Sequence, residues 1–202
     1  MLYLIFYGDY MAMIWCYTGP SGVGKSSYVD NNCKLLYRIK TTTTREPRDD
    51  DGVGTYEYIS YDEFFDIMDK DAFFITNNVY GNMCGIRKEE IGKCKYSVVI
   101  LDVHGTIKLK EKLESSDARS QEDNEPINMM SIFILPKYVN DVNQLHSLVA
   151  KRLIDRNTHS EQDIINRLKE LPFEYNMRKK FDEVIYISNI GNKDDIKNIS
   201  NK

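Results

Sequence analysis

The chain has no run of apolar residues near the ~20 that a membrane span requires, and it has no excess of basic residues. Its 27 lysines and arginines face 31 aspartates and glutamates, for a net charge of −4 over 202 residues. A transmembrane helix is therefore not expected, and no bulk positive field exists to hold the chain on nucleic acid or on an anionic membrane. An anionic ligand then needs a local cluster of cationic side chains. Cysteine is scarce as well: Cys16, Cys33, Cys84 and Cys94 form no CxxC pair, have no histidines at ligand spacing, and are too few for a disulfide scaffold. They read as reduced thiols in core or wall positions. The apolar opening 1–7 lacks a basic leader and a small-residue cleavage site and stops at Gly8 and Asp9, so it does not read as a signal peptide. Residues 1–12 are expected to be an extension that adds little to the fold, and the expected location is cytoplasmic.

What is present is enough for a packed core, since 42% of the residues are hydrophobic and the length suits one large or two small domains. Short β-branched or aromatic runs at 13–17, 96–101, 130–135 and 184–187 look like strands buried on both faces. Helical patterns at 26–36, 141–156 and 161–178 fall between them. Strands alternating with helices predict an α/β protein with a parallel sheet. The stretch 41–85 differs, with short Tyr- and Phe-rich strands around a helix opened by Ser60 and Asp62, and reads as an insertion with its own small sheet. Segment 115–126 is polar and aperiodic and is expected to be a mobile surface loop.

Gly19-Pro-Ser21-Gly22-Val23-Gly24-Lys25-Ser26 matches GxxxxGK[ST] in full, with a strand before it and a helix-compatible stretch, beginning with Ser27, after it. The glycines let backbone N–H groups turn inward around phosphate oxygens, and the following helix adds its dipole. Lys25 reaches the β- and γ-phosphates, and Ser26 is a ligand for Mg²⁺. Next come Thr41-Thr-Thr-Thr44-Arg45-Glu-Pro-Arg48 and, downstream, Tyr56. Two arginine forks beside hydroxyls make a compact anion grip. Asp102, at the end of the 96–101 strand, lies at the carboxyl edge where α/β proteins bind ligands.

GPSGVGKSS, TTTTREPR, GxxxYxYIS, GNxxG at Gly81 to Gly85, ILDVHG and an arginine-bearing helix together resemble the guanylate kinase family over 13–187. The resemblance implies a P-loop NTPase core (13–40 and 93–202) with a parallel sheet flanked by helices, a small mixed-sheet insertion over 41–92 that binds the nucleoside monophosphate, and a helical lid at about 141–178. It implies transfer of a phosphoryl group from ATP to GMP or dGMP, with Mg²⁺. Thr41 (serine in the family), Arg45, Arg48 and Tyr56 would hold the acceptor phosphate, with Gly81 and Asn82 beside them. Arg152, Arg156 and Arg167 correspond to lid arginines, and Asp102 would position Mg²⁺ through water. Monomer and homodimer both stay open, and the residue usage is compatible with a divergent viral homologue working in a host cytoplasm.

The chain departs from the family at the base. Ile75, Ile86 and His104 stand where the family reads guanine, and Met83 and Cys84 replace a tyrosine pair of which the second contacts phosphate. Thr76, Asn77 and Asn78 lie beside Ile75, and a one-residue shift would bring a hydroxyl or an amide to the base, while His104 could still bond a purine. Two readings stay open: an active kinase, and an impaired homologue that binds nucleotide or phosphoprotein. A GTPase reading rests on short matches, Asp102 to Gly105 for DxxG and Asn192 to Asp195 for NKxD. It fails on spacing, because only seven residues follow the second.

Overall fold

The computed structural model describes residues 11–48, 51, 52, 54–156 and 160–188. The NKxD match and residues 1–10 lie outside them. Nine strands and five α-helices follow in chain order: β1 (Ala12–Thr18), α1 (Lys25–Asn32), β2 (Tyr37–Arg38), β3 (Thr41–Thr43), β4 (Tyr56–Tyr58), α2 (Tyr61–Asp69), β5 (Phe73–Val79), β6 (Asn82–Arg87), β7 (Tyr96–Ile100), α3 (Val103–Ser115), β8 (Ile127–Pro136), α4 (Val142–Arg156), α5 (Glu161–Met177) and β9 (Glu183–Ile187). Ala12, expected in the extension, already belongs to β1.

Five strands form a parallel sheet in the order β2-β7-β1-β8-β9. All seven residues of β1 are buried, as a central strand covered on both faces must be. β7 lies on one side of β1 and β8 on the other, so the strand order switches at β1 and opens a crevice beyond its carboxyl end. The loop that enters α1 starts there. One core cluster joins β1 and β8 to Leu145, Val149 and Leu153 of α4 and Leu171 of α5.

The second sheet has the order β4-β3-β6-β5 and is mixed, with β3 parallel to β4 and antiparallel to β6. α2 packs on it through Phe64, which is fully buried and stacks on Phe73 with centroids 4.5 Å apart. A capping box between Ser60 and Glu63 starts that helix. Glu90, buried at 5% exposure, clasps the two connections between the sheets. It accepts from the Tyr37 hydroxyl at 2.6 Å and the Lys40 N–H at 2.9 Å, and pairs with Lys93 at 3.1 Å.

Several expected bounds move. The first helix ends at Asn32, where the chain turns through Cys33 and the Leu36 N–H bonds to the Cys33 carbonyl at 3.0 Å. Segment 115–126, expected to be a mobile loop, is instead a compact turn built on buried Ser120, which bonds Glu125 across its neck, and is tied to Lys95 through Asp123 at 2.8 Å. Most of its side chains face water, while backbone bonds join Ser120 to Glu125 and Asn124, and Gln121 to Gly92. All four cysteines are free thiols.

Burial opposes the Glu90 charge, but the Tyr37 hydroxyl, the Lys40 N–H and Lys93 hold its carboxyl below the usual range. Its stabilisation is thus present above the unfolded value of about 4.3 and lost as the pH falls through the folded value. Glu90→Ala is expected to cost about 2–3 kcal/mol, or roughly 4–12 °C of Tm, at pH 7. In thermal melts the gap between wild type and Glu90→Gln should shrink below pH 4; a gap that widens there contradicts the assignment.

Candidate active site

The loop from β1 to α1 wraps the crevice with backbone that glycine permits. Gly19 has φ of 145° and a Cβ there would meet the Ile134 carbonyl oxygen at 2.5 Å. Gly24 caps α1 with φ of 95° in the left-handed region. Having no side chain, Gly24 does not cap the helix, so the first N–H groups of α1 remain for an anionic ligand. Lys25 folds over this loop, its Nζ donating to the Gly19 and Pro20 carbonyls at 2.7 and 2.8 Å. Val23 is fully buried in the core and contributes to the loop through its backbone.

One cleft of about 290 Å³ gathers Gly19, Ser21, Gly22, Gly24, Lys25, Ser26 and Ser27 from this loop with Thr41, Arg45, Arg48 and Tyr56 from the small sheet, and Arg156 and Arg167 from the two helices. Asn82 and Asp102 line it too. The remaining expected residues are placed elsewhere. Arg152 donates to the Gly22 carbonyl at 2.9 Å, bracing the loop from a neighbouring pocket beside Pro136 and Ile187. Gly81 and His104 lie in an adjoining cavity, where His104 stacks on Phe173 at 5.0 Å.

Charge within the cleft is tightly arranged. Burial pushes the Lys25 ammonium down to about 8, with Glu174 pulling it back up and Arg167 and Arg156 pushing it further down. Glu174, on α5, is itself pushed up to about 7 by burial, against the pull of Lys25. Arg45 pairs with Asp51 at 2.9 Å, and Asp51 also accepts from the Tyr58 hydroxyl at 2.5 Å and the Arg48 N–H at 2.8 Å. The Arg45 guanidinium lies over the Tyr56 ring at 5.1 Å. Arg167 donates to Ser21 Oγ at 2.7 Å.

Asp102 caps α3 by accepting from the Gly105 N–H at 3.1 Å, and both its oxygens accept from Asn77 Nδ2 at 2.9 Å. Asn77 therefore grips the carboxylate at the strand end. Ile75 and Ile86 face each other across β5 and β6, at 8% and 0% exposure, within a cluster that includes Leu109 and Leu113 of α3. Neither presents a polar atom to the cleft. Tyr80, Glu174 and Asp51 are site residues that the motifs do not mark, and Asn77, expected near the base, bonds Asp102 instead. For Glu174 the available signal was its position seven residues after Arg167, on the same helix face.

Because Lys25 sheds its proton near 8 in the ligand-free cleft and anionic phosphate favours the ammonium, ATP binding should take up a proton at higher pH. The dissociation constant for ATP is expected to rise by up to about tenfold per unit above pH 8, and in Lys25→Arg that rise should disappear. Calorimetry between pH 7 and 9.5 checks this; a flat profile in wild type contradicts it.

The family model described as guanylate kinase matches residues 15–199. The guanylate kinase of Clostridium acetobutylicum is 29% identical over 186 residues, spanning 87% of this chain and 78% of that protein. That of Prochlorococcus marinus subsp. pastoris is 30% identical over 178 residues, spanning 83% and 85%. The crystal structure of guanylate kinase from Anaplasma phagocytophilum superposes with a TM-score of 0.60 at 20% identity, over 96% of this chain and 85% of the other, and shares its fold. The P-loop, the parallel sheet switching at β1 and the family match over most of its length agree: the chain belongs to the guanylate kinase family, whose members are nucleoside monophosphate kinases.

Proposed function

We propose that the chain transfers the γ-phosphoryl group of ATP to GMP or dGMP. The observation that carries this reading is the convergence in one cleft of Lys25 and its loop, the grip of Arg45, Arg48, Tyr56 and Thr41, and Arg156 and Arg167. The small sheet within 41–92 would be the acceptor-binding insertion, and α4 with α5, within about 141–178, the lid. The attacking atom is an acceptor phosphate oxygen, largely ionised at pH 7 because its second pKa is near 6. No general base is needed. What the reaction requires is in-line placement and neutralisation of the transferring group, which Lys25, Arg156 and Arg167 supply from three directions. Arg152 acts one step back, fixing the Gly22 carbonyl and so the shape of the loop. Closure of the lid helices excludes water that would otherwise take the phosphoryl group.

The described residues contain no cluster of three or more histidine, cysteine or carboxylate groups able to cage a metal ion. Of the hydroxyls and carboxylates that line the cleft, Ser26 at the start of α1 and Asp102 just beyond the end of β7 make a donor set that suits Mg²⁺ arriving on phosphates and keeping several waters. Held there, it would supply charge neutralisation to the phosphates. Asn77 holds the Asp102 carboxylate in one orientation for such a water-mediated contact.

Base reading cannot rest on Ile75 and Ile86, which are sealed against α3. Val79, Cys84, Ile100 and Leu101 supply the apolar part of the cleft wall, beside the polar Thr43, Tyr80 and Asn82. An apolar wall separates ligands by about 10–200-fold, whereas a site of paired polar groups reaches 10⁴ or more. In a coupled ADP-release assay over GMP, dGMP, AMP, UMP and dTMP, GMP and dGMP should turn over best, with kcat/KM for AMP lower by less than about 200-fold. Discrimination beyond 10⁴ contradicts an apolar reading site, and turnover with none of the five contradicts the proposed activity. Lys25→Ala and Arg48→Ala are each expected to lower kcat/KM by at least about 10²-fold; near wild-type rates in either would remove its assigned role.

A further inference from the structure

The hairpin between β5 and β6 turns at Tyr80 and Gly81, and Tyr80 holds φ of 52° there. A tyrosine occupies that left-handed region only where its surroundings hold it, and such positions gather at functional sites. The ring leaves the small sheet and reaches α5. The Arg167 guanidinium lies 4.3 Å from its centroid, and its hydroxyl is 3.5 Å from Glu174 Oε1, at the outer limit of a hydrogen bond.

Arg167, Leu171 and Glu174 share one buried face of α5, at 8%, 1% and 5% exposure. Arg167 Nη1 donates to Ser21 in the phosphate loop. Arg167 Nε and Glu174 Oε2 are the buried side-chain atoms without a hydrogen-bond partner among the described residues. The guanidinium is thus fixed by its face while part of its edge still seeks an acceptor. That division matters, because an aromatic ring takes the flat face of arginine and leaves the N–H edge for phosphate oxygens, whereas a carboxylate partner competes for the same N–H groups. Arg45 in the same cleft has a ring as well, Tyr56 at 5.1 Å, but its N–H edge is also taken by Asp51 at 2.9 Å.

We propose that Tyr80 is a positioning residue for phosphoryl transfer. It sets the plane of Arg167, with Glu174 steering the phenol, so that the placement of this lid arginine depends on the small-sheet hairpin. Substrate gathered by the small sheet is thereby coupled to the charge that neutralises the transferring group. The proposal rests on the role of Arg167 in transfer given above, and it adds a residue of the acceptor-side sheet that acts through it.

A double-mutant cycle tests it, with kcat, both KM values and Tm measured for wild type, Tyr80→Ser, Arg167→Ala and the double variant. Tyr80→Ser is expected to lower kcat by about tenfold or more while the acceptor KM changes by less than about threefold. Tyr80→Phe, which keeps the ring, should recover most of that loss. In the Arg167→Ala background the Tyr80 substitution should cost no more than about twofold, since nothing remains for the ring to position. Tyr80→Leu, which keeps side-chain bulk without the π face, repeats the cycle should Tyr80→Ser melt at the assay temperature. Equal losses in both backgrounds, or a loss carried wholly by the acceptor KM, would overturn the proposal, because the tyrosine would then act on substrate directly. Wild-type kcat in Arg167→Ala would overturn the role of Arg167 itself, and the coupling with it.

Discussion

Positive charge has to be concentrated against its own repulsion in this protein, and most of the structure serves that requirement. Lys25 comes from the loop after β1, Arg45 and Arg48 from the strap after β3, and Arg156 and Arg167 from two helices more than a hundred residues later. Burial and the neighbouring arginines already drive the Lys25 ammonium down to about 8. The fold answers with fixed partners: loop carbonyls under Lys25, Asp51 on Arg45, Ser21 and the Tyr80 ring on Arg167, and Glu174 nearby. A chain with net −4 can therefore present a cationic cleft. The acidic groups that balance the total are partly built into the cleft wall.

The same logic explains which parts were legible in the sequence. The phosphate loop was, because backbone geometry around a phosphate demands glycines at fixed spacing and leaves a pattern. The central strands were, because burial on both faces of a parallel sheet removes polar residues from whole runs. β2, a two-residue strand, and β6, interrupted by Gly85, carry too little pattern to be read. The surface position of 115–126 was legible from its polar composition, but the turn bonded around Ser120 was not, because backbone bonds leave no mark on composition. Tyr80 and Glu174 sit in no motif, and their importance follows from contacts between elements that lie 94 residues apart.

Ile75 and Ile86 serve packing in this protein. Ile75 and Ile86 join the small sheet to α3 through an apolar cluster, and on the same face Asn77 closes onto Asp102. A carboxylate at position 75 would stand buried among Leu109 and Leu113, where an unpaired charge is costly. The substitutions thus act as a set, stiffening the joint between sheet and core while leaving the phosphate grip intact.

On the proposed function, donor and acceptor phosphates meet in one cleft built from three segments. The most direct test is thermal unfolding in the presence of a single compound that links adenosine and guanosine through five phosphates, compared with ATP and GMP at matched concentrations. Simultaneous engagement of the loop, the strap and the two helices predicts a Tm rise larger than the sum of the two separate ligands, lost in Arg48→Ala. A shift no larger than that of ATP alone would contradict the account.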